Sequence, residues 1–197
     1  MDIQAQRSEA AFSVLNRPDT VARLFLGFSV PASIRAKLQA GARTHFGNYF
    51  NEFVPEENWH ITLFFFGEVH NHSQYLPRLK QPLPQTFVPT ISFTHLGRGG
   101  QRDQLWAYVA LTPALRALRE ALDERLRKIH FPRPVGVRKF APHIHLANFY
   151  PTVSGLGVAD APALAAYATQ EVHLYKSTLT PKGSVYDIET TVPLGSS

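Results

Sequence analysis

The sequence predicts an α+β protein built from two lobes that face each other. Three observations carry this. A strand followed by a proline-started helix occurs twice, near residues 24–42 and 105–129. Each unit is followed by a histidine in a strand-like segment, His60 and then His143. The spacings agree, with 29 positions from Pro31 to His60 and 30 from Pro113 to His143. A unit of roughly 80 residues present only twice is too long and too few for a solenoid. Two such units suit two small layers packed around one core.

The elements follow in order. Residues 1–20 are polar and weakly patterned and read as a flexible extension, although Ala10 to Leu15 could form a turn of helix. Residues 21–197 then form one bilobal domain. Leu24-Phe25-Leu26-Gly27-Phe28-Ser29-Val30 is a short apolar run rich in β-formers, and so a buried strand. Pro31 suits the first turn of a helix, and Ile34, Leu38 and Ala42 recur at helical period. Asn58 to Gly67 reads as the first histidine strand. Pro77 to Pro89 carries four prolines and reads as an extended connector.

The second unit opens with the strand Leu105 to Leu111. Its helix should run from Pro113 to about Ile129, with Leu115, Leu118, Leu122, Leu126 and Ile129 as the apolar face. Asp123 with Arg127 and Glu124 with Lys128 are i,i+4 pairs on the wet side. Phe140 to Ala147 is the second histidine strand. Ile91-Ser92-Phe93 and Glu171-Val172-His173 follow the two histidines at 31 and 28 positions and extend the repeat. Arg98-Gly99-Gly100-Gln101 is a turn and Pro151 to Gly157 a loop. A hairpin closes the chain, with strands around 171–177 and 185–190 and a turn at Pro181-Lys182-Gly183.

Composition narrows the function classes. The 197 residues are 44% hydrophobic and 18% charged, ordinary for a globular domain with a core. No uninterrupted apolar stretch approaches a membrane span, and no secretory pattern opens the chain. The chain has no cysteine, which excludes disulfides and thiolate chemistry. These features together point to the cytoplasm and give no sign of membrane association or of an obligate protein partner. The net charge of +5 fits a polyanionic partner, and equally a generic basic protein.

His60 and Thr62 are two apart on a strand, so both point to one face. His143 and His145 share that geometry. If the lobes face each other, two imidazoles meet across one cleft. One can take a proton from water while the other protonates a leaving alkoxide, which is what phosphodiester hydrolysis needs. Neighbouring hydroxyl or amide groups can hold the phosphoryl oxygens. This scheme needs no metal or other cofactor. His143 and His145 could hold a metal, but no acidic residue neighbours them to complete a site. Phe64 and Phe66 should share the face of His60 and Thr62, there to stack a nucleobase or to close the core. Arg138 and Lys139 either line the cleft mouth or form a solvated basic pair. His45, His95, His130 and His173 read as structural or exposed, and His70-Asn71-His72 as a solvated turn.

With these residues in place, the chain resembles the bacterial and archaeal RNA 2′,3′-cyclic phosphodiesterases (2′-5′ RNA ligase-like) of the two-histidine phosphoesterase superfamily. The likeness runs from Arg23 to about Leu194. It rests on Asn58-Trp59-His60-Ile61-Thr62-Leu63 with Phe66-Gly67, on Leu105-Trp106-Ala107, on Pro142-His143-Ile144-His145-Leu146-Ala147, and on Leu174-Tyr175-Lys176-Ser177 with Tyr186. The resemblance implies two antiparallel sheets facing a central cleft, with helices outside. It implies metal-independent hydrolysis of a 2′,3′-cyclic phosphate to a 2′-phosphate, on RNA ends or small cyclic nucleotides. His60 would be the acid, His143 the base, and Thr62 a phosphate contact. The chain departs from the family pattern at His145, usually Thr or Ser, and at Asn148, often Arg. The alternatives are 2′-5′ RNA ligation and a catalytically impaired nucleotide- or RNA-binding module.

Overall fold

The structure, a computed structural model, describes residues 20–84, 87–100, 103–135, 140–151, 157–160, 166–181 and 183–196. Residues 1–19, Arg138 with Lys139, and Lys182 of the closing turn lie outside the described residues, as does most of the 151–157 loop. The elements in chain order are β1 (Val21–Ser29), α1 (Ala32–Phe46), β2 (His60–His70), α2 (Leu76–Leu79), β3 (Leu83–Pro84), β4 (Thr90–Ile91) and β5 (Phe93–Gly99). Then come β6 (Gln104–Val109), α3 (Pro113–Lys128), β7 (His143–Asn148), β8 (Ala159–Asp160), β9 (Tyr167–Ala168), β10 (Glu171–Thr180) and β11 (Gly183–Ser196). No helix among the described residues is long and apolar enough to cross a membrane.

Two sheets dominate. One has the order β2-β1-β10-β11-β3 and the other β7-β6-β5-β8; β4 and β9 form a small ribbon. Apart from the parallel edge pairing of β11 with β3, every ladder is antiparallel. The first three strands of each sheet correspond, with β2 matching β7, β1 matching β6 and β10 matching β5. The expected repeat is therefore present, but its units are not contiguous stretches of chain. β5 follows the first histidine strand and completes the second sheet. β10 follows the second histidine strand and completes the first. β5 and β6 are neighbours in sequence joined by a short turn, and such neighbours pair; one lobe is thus continuous in sequence and the other is assembled from both ends of the described chain.

Both helices bury their periodic apolar residues. Ile34, Leu38 and Ala42 of α1, and Leu115, Leu118, Leu122 and Leu126 of α3, join the core-facing sides of both sheets in one cluster. The start of α3 is capped by the Thr112 hydroxyl, which accepts from the Leu115 amide at 3.2 Å, and Pro113 stands at its first turn. The pairs Asp123–Arg127 (3.1 Å) and Glu124–Lys128 (2.7 Å) sit on its wet face.

Two expectations are corrected. The proline-rich connector is not simply extended: it holds α2 and β3, with Leu79 and Leu83 in the core. Arg125 of α3 ties it down by donating to the carbonyls of Leu79, Gln81 and Pro82. His72 is not solvated. It is buried, and its Nε2 lies 2.9 Å from Glu189 Oε2 on β11, a partner 117 positions away that local sequence cannot announce.

Candidate active site

The cleft-facing residues are set by where the histidine strands bulge. In β2 the ladder to β1 pairs His60 with Ser29, Ile61 with Phe28 and Thr62 with Gly27, then skips Leu63 and resumes with Phe64 opposite Leu26. In β7 it pairs His143 with Tyr108, Ile144 with Ala107 and His145 with Trp106, then skips Leu146 and resumes with Ala147 opposite Leu105. The first extra residue thus falls at the same place in both halves, three positions after the histidine, and β2 alone carries a second, at Phe66, that resets the alternation beyond it. A bulge moves every later side chain to the other face. Phe64 and Phe66 accordingly turn into the core, at 3% and 4% exposure. Phe65, not its neighbours, stands on the face of His60 and Thr62. The expectation that Phe64 and Phe66 share that face fails because strict alternation does not survive the bulge. Phe64 still forms part of the floor beneath His143.

The two imidazoles are held alike. His60 Nδ1 lies 2.7 Å from the Asn58 carbonyl, and His143 Nδ1 lies 2.8 Å from the Ala141 carbonyl. A carbonyl only accepts, so each Nδ1 carries the proton and each Nε2 is left for chemistry. A cavity of about 120 Å³ is lined by His60, Thr62, Phe65, Arg23, Ser177 and Tyr186. A second, of about 370 Å³, is lined by His143, Thr62, Phe65, Val135, Ala141 and Arg119. Thr62 and Phe65 are walls of both, so the two histidines open onto adjoining spaces. The histidine strands are also stitched across the lobes. The segment before each histidine donates to the other's strand, Val54 N to Leu146 O and Val135 N to Phe65 O, both at 2.8 Å.

Burial lowers the pKa of both imidazoles. His60 is lowered to about 4, chiefly by desolvation, with further lowering from His143 and His145 and a partial offset from its bond to Asn58. His143 is lowered by burial and by His145, against its bond to Ala141.

Their ring surroundings differ. His60 sits among Phe25 (ring centroids 4.5 Å apart) and Tyr186 (5.1 Å, edge-on). His143 stacks flat on Trp106, with centroids 3.4 Å apart and planes at 12°. Trp106 has room because the neighbouring strand carries Gly99, where a Cβ would lie 2.0 Å from the indole Cδ2. The position matching Trp106 in the first half is Gly27. A Cβ there would lie 2.6 Å from the Ile61 carbonyl oxygen, so β1 and β2 approach closely beneath Thr62.

His145 occupies the place of Thr62, and it bonds to the other departure from the family pattern. Its Nε2 lies 3.1 Å from Asn148 Oδ1 and 3.1 Å from the Ala147 carbonyl. Nε2 therefore carries the proton, the opposite tautomer to His60 and His143. Burial lowers its pKa, against its bonds to Asn148 and Ala147. In this tautomer His145 Nδ1 holds a lone pair, so a phosphate contact through that atom would need a proton that burial disfavours.

The structure thus gathers His60, Thr62 and His143, with His145 on the same strand face as His143, while Phe64 and Phe66 go to the core and Arg138 lies outside the described residues. Phe65, Trp106 and Arg119 belong to the site and were missed. Phe65 was hidden by the bulge and Trp106 read only as a strand residue, while Arg119 on α3 had no motif to mark it. Among the described residues, no three His, Asp or Glu side chains group as a metal site would require.

Comparison with known proteins agrees with this geometry. No family model matches the chain. It is 30% identical over 173 residues to the RNA 2′,3′-cyclic phosphodiesterase of Archaeoglobus fulgidus, covering 83% of this chain and 96% of that protein. It is 32% identical over 146 residues to the protein of the same name from Thermotoga maritima, covering 68% and 75%. Among solved structures, E. coli LigT complexed with phosphate superposes with a TM-score of 0.68 at 23% identity, over 89% of this chain and 99% of that one. TT0787 of Thermus thermophilus gives 0.69 at 26% identity, over 89% and 100%. Matched histidine strands in two sheets, joined to 30% identity across nearly the full length of the archaeal relative, place the chain in the RNA 2′,3′-cyclic phosphodiesterase family of two-histidine phosphoesterases.

Proposed function

We propose that the cleft hydrolyses 2′,3′-cyclic phosphodiesters, at RNA ends or in small cyclic nucleotides, to 2′-phosphates by paired histidine acid–base catalysis. The observation that carries this reading is the matched tautomer of His60 and His143. Each is pinned through Nδ1 to a backbone carbonyl, and each turns a free Nε2 to space bounded by Thr62 and Phe65. His143 Nε2 takes a proton from water, whose oxygen bonds to phosphorus. The bond from phosphorus to the 3′ oxygen breaks, and His60 Nε2–H gives its proton to that oxygen. The product carries a 2′-phosphate and a 3′-hydroxyl. Thr62 donates to a non-bridging oxygen as charge develops, and Phe65 offers a ring face to the base. No step requires a metal.

The pKa order sets a condition on the acid. His60 at about 4 carries only its Nδ1 proton, and none on Nε2, at neutral pH among protein groups alone. The phosphodiester brings a negative charge, which favours the imidazolium beside it. His60 therefore acquires its proton with the substrate. The test is incubation of 2′,3′-cyclic mononucleotides and cyclic-phosphate-ended RNA with the protein in excess chelator, with the phosphate position of the product determined. A 2′-phosphate is expected. A 3′-phosphate would overturn the assigned leaving group. Binding without turnover would make this a binding module, and joined RNA ends a ligase.

A further inference from the structure

We propose that a groove along α3, lined by Arg119, Arg127 and Arg133, binds the backbone of the nucleotides that precede the 3′ end of an RNA strand, so that RNA ends rather than mononucleotides are the preferred substrate. This rests on the hydrolytic reading above. The His143 cavity has a larger neighbour. Phe64, Arg119 and Pro134 line it and also line a larger cavity of about 410 Å³ on its outer side. That outer cavity carries Arg119, Arg127 and Arg133 against a single carboxylate, Asp123, and is otherwise walled by apolar residues including Phe131, Pro132 and Pro134.

Arg119 is fixed at the junction. Its guanidinium lies 4.6 Å from the ring centres of both Phe64 and Phe140, and its Nε donates to the Leu63 carbonyl at 3.3 Å. Leu63 is the bulged residue between Thr62 and Phe64, so the same arginine that opens the groove also braces the strand that carries Thr62. The Arg127 side chain is 63% exposed and pairs with Asp123, its own i,i+4 neighbour. An exposed pair of that kind is worth little, and a phosphate can displace the carboxylate. A 2′,3′-cyclic phosphate terminates a strand, so the remaining nucleotides all lie on its 5′ side and must leave the cleft along one path. A cationic groove adjoining the His143 cavity gives them that path, whereas a mononucleotide would never reach it.

The test compares wild type with R127Q/R133Q, two changes outside the catalytic cavity. The substrates are a 2′,3′-cyclic mononucleotide and an RNA hexamer ending in the cyclic phosphate. With the hexamer, kcat/KM should fall about tenfold, the scale expected when one or two charge-assisted hydrogen bonds are removed. Its dependence on log salt should become shallower by about 0.7 for each phosphate that the variant no longer binds. With the mononucleotide it should not change. Equal loss on both substrates, or no loss on the hexamer, overturns the groove and leaves the hydrolytic reading standing. A wild type inactive on both substrates overturns that reading, and the groove with it.

Discussion

The two halves of the cleft share a backbone and differ in what fills it. β2 and β7 bulge at the same step, and His60 and His143 are anchored through the same nitrogen to the carbonyl two residues back. At the next inward position the halves part. The first has Thr62 facing Gly27, a hydroxyl donor over a bare backbone. The second has His145 facing Trp106, an imidazole held by Asn148 beside an indole stacked on His143. The shared features leave one imidazole Nε2 in each half for the proposed acid and base. The differing ones make the halves chemically unequal.

The largest effect should come from breaking what the halves share. His60→Ala and His143→Ala should each lower turnover of a cyclic phosphodiester at least about 100-fold, the low end for a general acid or base. The double variant should be little worse than either single one, because the pair acts as a unit. A single variant with near-wild-type turnover would break the comparison at its centre.

Next come the two glycines that make room in each half. Gly27→Ala meets a carbonyl oxygen at 2.6 Å, which only a backbone shift can relieve. It should cost about 1–3 kcal/mol in denaturant unfolding and also lower turnover through Thr62. Gly99→Ala meets the inner atoms of the Trp106 indole, so the whole ring must leave its stack, though the backbone need not move. It should cost less stability while moving the indole off His143, a stack worth about 0.5–1.5 kcal/mol. Equal stability losses would mean that the two close approaches are not different in kind.

The smallest effect concerns His145. His145→Thr makes the second half resemble the first. A protonated His145 lowers the pKa of both His60 and His143, so its removal raises both. A base must be neutral to act, so the acidic limb of the kcat/KM profile should move to higher pH, with turnover at neutral pH retained. A profile that does not move would show that His145 is electrostatically silent.

Much of this was legible in the sequence, for identifiable reasons. The helices of Ile34-Leu38-Ala42 and of Leu115 to Leu126 were visible because their apolar period is local. The histidine strands were visible because their motifs repeat at near-equal distance from a proline. Thr62 and His145 were placed correctly on the faces of His60 and His143, since two residues of strand precede any bulge. Phe64 and Phe66 were misplaced one step later, where Leu63 drops out of the ladder. Composition does not mark that step, because the bulge exists only in the pairing of β2 with β1.

What the sequence alone determined, then, is the main strands and the two long helices, the duplication, and the side chains able to move protons. Each depends on contacts within one strand or one helical turn, or on chemistry intrinsic to a residue. The tertiary structure decided which lobe receives β5 and β10. It decided that Phe65 rather than Phe64 shares the strand face of His60, that His145 and Asn148 bond to each other, and that Arg119 reaches the wall beside His143. The sheet exchange and Arg119 join segments tens of residues apart, Phe65 and the His145–Asn148 pair turn on where a strand slips against its neighbour, and no local pattern encodes which of the possible partners packing will select.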